Sequence, residues 1–158
     1  MNNDEKNNMN NDEKDNMTDD EKKKCHAIIH TATVLAGLSS LIPIRCADAV
    51  PITGAQILMI IALGKVFEVN ISKSIATAVT SGFAAIMAGR TAVSSILKFV
   101  PFLGQVANVS IAGGITEALG WATAYSFHSL TPAQRKKGIG PKELLDLIRN
   151  FFNPPPNK

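Results

Sequence analysis

Full charges are scarce through the middle of this 158-residue chain: between His26 and His128 only Arg45, Asp48, Lys65, Glu68, Lys73, Arg90, Lys98 and Glu117 carry one, eight in 103 positions. A soluble domain carries about 25%. Aromatic residues make up 6% and cysteines number two, and a disulfide-stapled scaffold is not expected. Cys25 and Cys46 lie 21 residues apart along one predicted helix, beyond bridging range within a monomer, so both are expected as reduced thiols. No basic arm for nucleic acid, sustained heptad or collagen-like glycine period is present.

What the chain does contain is dealt unevenly. Residues 1–24 hold eight acids and five lysines, whereas the remainder holds five acids and eleven bases, a balance of −3 against +6. The first 25 residues read as three octads, NNDEKNNM, NNDEKDNM and TDDEKKKC. With no apolar residue but Met before Cys25, residues 1–24 are expected to form a disordered tail. The polar, acidic start is not that of a secretory signal.

The apolar domain, residues 25–128, contains four stretches almost free of charge: 27–44, 49–64, 74–89 and 99–116, the last running on past Glu117 to Phe127. They lack period-two alternation and are too long for ordinary strands, which predicts an all-α fold. Four helices are expected as two hairpins, with turns at Pro43 to Pro51, at Glu68 to Ser72, near Arg90, and at Pro101 to Gly104. A weak duplication lays Ala47–Phe67 over Ala107–Phe127 at an offset of sixty. Residues 129–158 form a basic linker (TPAQRKK), a Gly-Ile-Gly-Pro breaker, a short amphipathic helix over 141–152, and a proline-rich end.

Catalytic chemistry is hard to place on these residues. Gly64-Lys65 lacks the glycine and the hydroxyl residue of a phosphate loop, and no Ser, His and Asp set suggests a nucleophile. His26 and His30, at i and i+4 beside Cys25, form half of a metal site that no further cluster in the sequence completes; two solvent-side histidines are the plainer reading. No cofactor, no metal and no enzymatic activity are therefore expected. The polar residues that stand out are Asp48 in the first proline turn, Arg90 at a helix end, and Glu117 inside an apolar helix. Glu117 must face water, pair or stay neutral, with Thr116 locally, or Arg90 or Lys73 across the bundle, as its available partners.

Sixteen helical residues reach roughly 24 Å, short of the about 30 Å of a hydrocarbon core, so these segments are marginal spanners. If four helices run up, down, up, down, one side gathers Lys22–Lys24, Lys65, Lys73, Arg135–Lys137 and Lys142, and the other Arg45 and Lys98, with Arg90 near it. That asymmetry points to membrane association with both termini cytoplasmic. Gly82, Ala85, Gly89, Gly113, Gly114 and Gly120 would allow close helix approach in such a setting.

The pattern His30-Thr31-Ala32, Ile42-Pro43-Ile44, Ala47-Asp48-Ala49, Pro51-Ile52 to Gln56-Ile57, Met59 to Leu63, and Lys98 to Gly104 resembles the YcjF-like domain, a bacterial helical domain of unknown function that often follows a GTPase domain. The resemblance covers about residues 25–128 and brings no catalytic residues. It implies an all-helical, apolar, membrane-associated domain; this chain carries the octad tail where multidomain members carry the GTPase, which leaves pairing with a separate GTPase open. The expected function is thus a membrane-associated helical anchor or interaction module, with the lipid bilayer, a GTPase or a second copy as partner. Two alternatives stand beside it: a cytoplasmic helical interaction domain hiding its apolar faces in an oligomer or partner, and a conditionally inserting pore former.

Overall fold

A computed structural model describes residues 17–39, 49–90 and 103–152, with side chains over 17–38, 53–87 and 113–152. Among them the architecture is all-α: α1 (Asp19–Ser39), α2 (Ala49–Val66), α3 (Lys73–Arg90), α4 (Leu103–His128), α5 (Pro132–Lys137) and α6 (Pro141–Phe152).

The first helix starts earlier than composition suggests, inside the third octad. Thr18 is its N-cap: the Thr18 hydroxyl accepts from the Glu21 amide at 3.3 Å and the Glu21 carboxylate accepts from the Thr18 amide at 2.9 Å. This is a capping box, reinforced by Asp19, Asp20 and Glu21 at the positive end of the helix dipole and by a Lys24–Asp20 ion pair at 2.6 Å. A polar segment can be ordered this way because it extends a helix already anchored by buried Cys25, Ile29, Ala32 and Ala36. Residues 19–24 therefore belong to α1, not to a tail.

The buried positions of α1, four, three and four apart, give it a single inward stripe. On α2 the stripe is Gln56, Met59, Ile60 and Leu63, continued by Phe67 just past its end, and on α3 it is Ala76, Val79, Thr80 and Phe83. In contrast, α4 is buried on most sides, because α1, α2 and α6 all pack against it. Its run of Ala, Gly, Ser and Thr suits that central place, since small residues let three neighbours approach. At Gly120 a Cβ would lie 2.8 Å from Ile29 of α1 and 3.0 Å from Met59 of α2.

Direction follows from the contacts. Gly113 lies against Thr33 and Gly120 against Ile29, so α1 and α4 are antiparallel. Gln56 donates to Thr116 at 3.1 Å, and the Phe67 and Phe127 rings lie 6.5 Å apart, so α2 and α4 run parallel. Both pairs are sixty residues apart, the same offset that relates the two sequence segments. The hairpin expectation holds for α1 with α2, whereas α3 packs chiefly on α2 and α6. The amphipathic α6, with Leu144 and Ile148 fully buried, closes the second layer against α3 and α4.

Several expected turns are placed differently. Pro51 is the third residue of α2, in a first turn whose N–H groups have no intrahelical acceptor, and Gly104 is the second residue of α4. Pro43, Asp48 and Pro101 lie outside the described residues. The turn expected over 68–72 is present, with Glu68 at φ 57° and the Val69 amide donating to the Gly64 carbonyl at 2.8 Å. The basic linker contains a helix that was not expected: α5 carries a capping box between Thr131 and Gln134.

No helix of the described residues is long and apolar enough to cross a membrane, which corrects the expectation of spanning segments. The 26 residues of α4 would reach about 39 Å, but Gln105, Ser110, Thr116, Glu117, Thr123 and Ser126 dilute its apolar character. The shortage of charge is met in another way. Large side chains point inward, and an outer face such as that of α3 is built of small neutral residues, Thr77, Ala78, Ser81, Ala84 and Ala85.

Candidate functional site

With α1 and α3 running against α2 and α4, the N-terminus of α1, the C-terminus of α2, the N-terminus of α3 and the C-terminus of α4 share one end. Lys22, Lys23, Lys65, Lys73, Lys136, Lys137 and Lys142 gather there. Arg135 has a structural task at this end. Its guanidinium donates to the carbonyls of Leu130 and His128 at 3.0 Å and of Phe67 at 3.4 Å, and it sits 5.9 Å from the Phe67 ring centre. A fixed positive charge on the last carbonyls of α2 and α4 complements the negative ends of both helices.

From the basic end a surface stripe climbs α1 at four-residue spacing: Lys22, His26, His30, Val34 and Leu38. Each step has a companion from α4. Lys22, Lys23 and His26 border a cleft with Trp121 and Tyr125, His30 meets Glu117, and Val34 and Leu38 border Gly113 and Gly114. The face changes along its length from cationic, through aromatic and imidazole, to aliphatic.

Its middle is a chain of rings from four helices. His30 and His26 lie 3.9 Å apart, His26 and Trp121 6.3 Å, Trp121 and Tyr125 6.2 Å, and Tyr125 stacks on Phe151 at 5.6 Å. Phe151 then meets Phe152 at 5.4 Å, which reaches Phe83 at 5.8 Å. The sole Trp and the sole Tyr thus fall on one surface. Nothing in the spacing of His26, Trp121 and Phe151 betrays this; only the α1–α4–α6 packing brings them together.

Glu117 is half-exposed, and its carboxylate is 3.8 Å from His30 Nε2, a partner other than the Thr116, Arg90 or Lys73 expected. Arg90 is the last residue of α3. Thr116 instead receives the hydrogen bond from Gln56 in the buried α2–α4 contact. Cys25 is a free thiol, fully buried, and burial together with the charge of Glu21 pushes it up to about 11, the unreactive range for a nucleophile. Among the described residues no group of three or more His, Cys, Asp or Glu side chains is gathered to hold a metal ion.

Beside and beyond His30 on α1, and across a groove on α2, apolar side chains stand in the open. Val34, Leu35 and Leu38 of α1 are 57%, 51% and 55% exposed and Leu58 of α2 is 68% exposed. Leu35 and Leu58 flank a groove of about 410 Å³ lined by Ala27, Thr31, Ala55 and Met59 among others. The Thr31 hydroxyl in its wall donates to the Ala27 carbonyl at 2.8 Å, so this lining offers little to a polar ligand. Comparison with protein-family models, with curated proteins and with solved structures found no match to this chain.

Proposed function

We propose that this protein is a helical membrane-docking module that rests on a lipid surface through the apolar end of its bundle and does not span it. The observation that carries this reading is the exposed set Val34, Leu35, Leu38 and Leu58, aliphatic side chains that stand more open than any other large apolar residue among those described. A patch of this kind marks a lipid or protein contact.

The order of residues along α1 supports the orientation. Aliphatic side chains lead, imidazoles and Trp121 follow at the depth where amphipathic rings favour the headgroup layer, and the lysines stand furthest out. With the apolar end in the cytoplasmic leaflet, the basic end faces the cytoplasm. A GTPase partner rests on the YcjF-like resemblance.

Flotation of the full chain with phospholipid vesicles tests the proposal. Wild type is expected to float with the vesicles, its Trp121 emission shifting to the blue, and a Val34→Asp, Leu38→Asp double variant to stay at the bottom with unchanged helicity. A wild-type protein that ignores vesicles but sediments as a dimer, which the same double variant converts to monomer, overturns the lipid reading and assigns the face to self-association.

A further inference from the structure

We infer that His26 and His30 form a binding site for a divalent ion that favours tetragonal geometry, Cu2+ or Ni2+, on the outer face of α1. The sequence places the two imidazoles at i and i+4, one helical turn apart, and the structure adds what spacing could not. Both rings point the same nitrogen at each other, Nε2 to Nε2, at 2.9 Å. A carboxylate also arrives from a helix 87 positions further along, with Glu117 Oε1 3.8 Å from His30 Nε2.

The separation of the two nitrogens discriminates between ions. Ligand nitrogens roughly 2.0–2.1 Å from a metal lie about 2.8–3.0 Å apart at a right angle and about 3.3–3.4 Å apart at the tetrahedral angle. The observed 2.9 Å, a hydrogen bond in the ion-free protein, is already close to the right-angle bite. Square-planar and tetragonal ions therefore need the rings to turn but not to separate, whereas a tetrahedral Zn2+ also requires the rings to spread. In the ion-free protein one imidazole donates its Nε2 proton to the other. On binding, that proton moves to Nδ1 of its own ring and both rings turn slightly about χ2, so that two Nε2 lone pairs meet the ion. Both side chains are on the outside of the helix, so this turn disturbs no core packing. Water completes the coordination, and Glu117 supplies nearby negative charge from α4, which couples the ion to the α1–α4 contact.

The molecule carries its own reporter. The His26 ring is 6.3 Å from Trp121, the single tryptophan of the chain, and Cu2+ quenches an indole at that range. Titrating the full chain with CuCl2 is expected to quench Trp121 emission to a plateau at one ion per chain, with EDTA restoring it. His26→Ala and His30→Ala, exposed positions where alanine favours the helix, are expected to remove the plateau without loss of helicity. Glu117→Gln should weaken binding several-fold without abolishing it. Quenching that never saturates, or that persists unchanged in both alanine variants, overturns the site. Displacement of Cu2+ by an equal concentration of Zn2+ overturns the geometric assignment.

Discussion

Gly120 and Gly114 show how much a single position depends on its neighbours. Both sit in α4, six residues apart, and composition alone treats them alike. A Cβ on Gly120 would meet Ile29 Cγ1 at 2.8 Å and both Ile29 Cγ2 and Met59 Sδ at 3.0 Å, where two helices close on a third. Gly114 faces outward with nothing within 4 Å. Gly120→Ala is therefore expected to destabilise by about 1–3 kcal/mol through overpacking. Gly114→Ala should stabilise by about 0.5–1 kcal/mol, since alanine loses less freedom on entering the helix. Urea denaturation followed by far-UV circular dichroism measures both, and equal midpoints for the two variants would contradict the packing described. The sequence shows glycines suited to close helix approach; which of them are pressed is a property of the assembled bundle.

At the scale of the element, the N-termini of α1 and α5 carry a local signal that the surrounding composition masks. Thr18 to Glu21 and Thr131 to Gln134 are both Thr-x-x-Glu/Gln, the spacing at which a threonine hydroxyl and a longer side chain exchange hydrogen bonds with each other's amides. In Thr18 to Lys24 the signal is masked by acidic and lysine-rich composition, and in Thr131 to Lys137 by the neighbouring breaker. Burial works against the Glu21 carboxylate, yet its hydrogen bonds to the Thr18 amide and hydroxyl prevail and hold it below the ordinary value of 4.5. A depressed carboxyl adds stability that is fully present above that ordinary value and is lost as pH falls through the lower one. Thr18→Ala is expected to cost about 0.5–2 kcal/mol at neutral pH. Thermal denaturation of the variant and wild type from neutral to strongly acidic pH should show the gap narrowing as Glu21 takes up its proton; a gap that stays constant would mean that the Glu21 charge takes no part in the cap.

For the whole molecule, the decisive feature is that α6 is part of the core and not an appendage. Leu144 and Ile148 are fully buried, and Phe151 and Phe152 continue the ring chain onto Tyr125 and Phe83. Ile148→Ala should therefore cost about 2–5 kcal/mol. Unfolding monitored at Trp121 on α4 and by overall helicity should remain one coincident transition; a separate early loss of α6 would show that the second layer folds independently. The amino-acid sequence by itself determined the all-α class, the bounds of α2 and α3 to within two residues, and the amphipathic helix over 141–152, because helical periodicity and proline placement act within one or two turns. It also held the sixty-residue offset that becomes the α2–α4 register. Only tertiary structure decided that charge scarcity is absorbed by small neutral outer residues and a central α4. Tertiary structure likewise decided that Glu117 faces His30, that Arg135 closes one end, and that His26, Trp121, Tyr125 and Phe151 share a surface. Those relations join residues dozens of positions apart, and their distance is set by how helices pack, which no local pattern encodes.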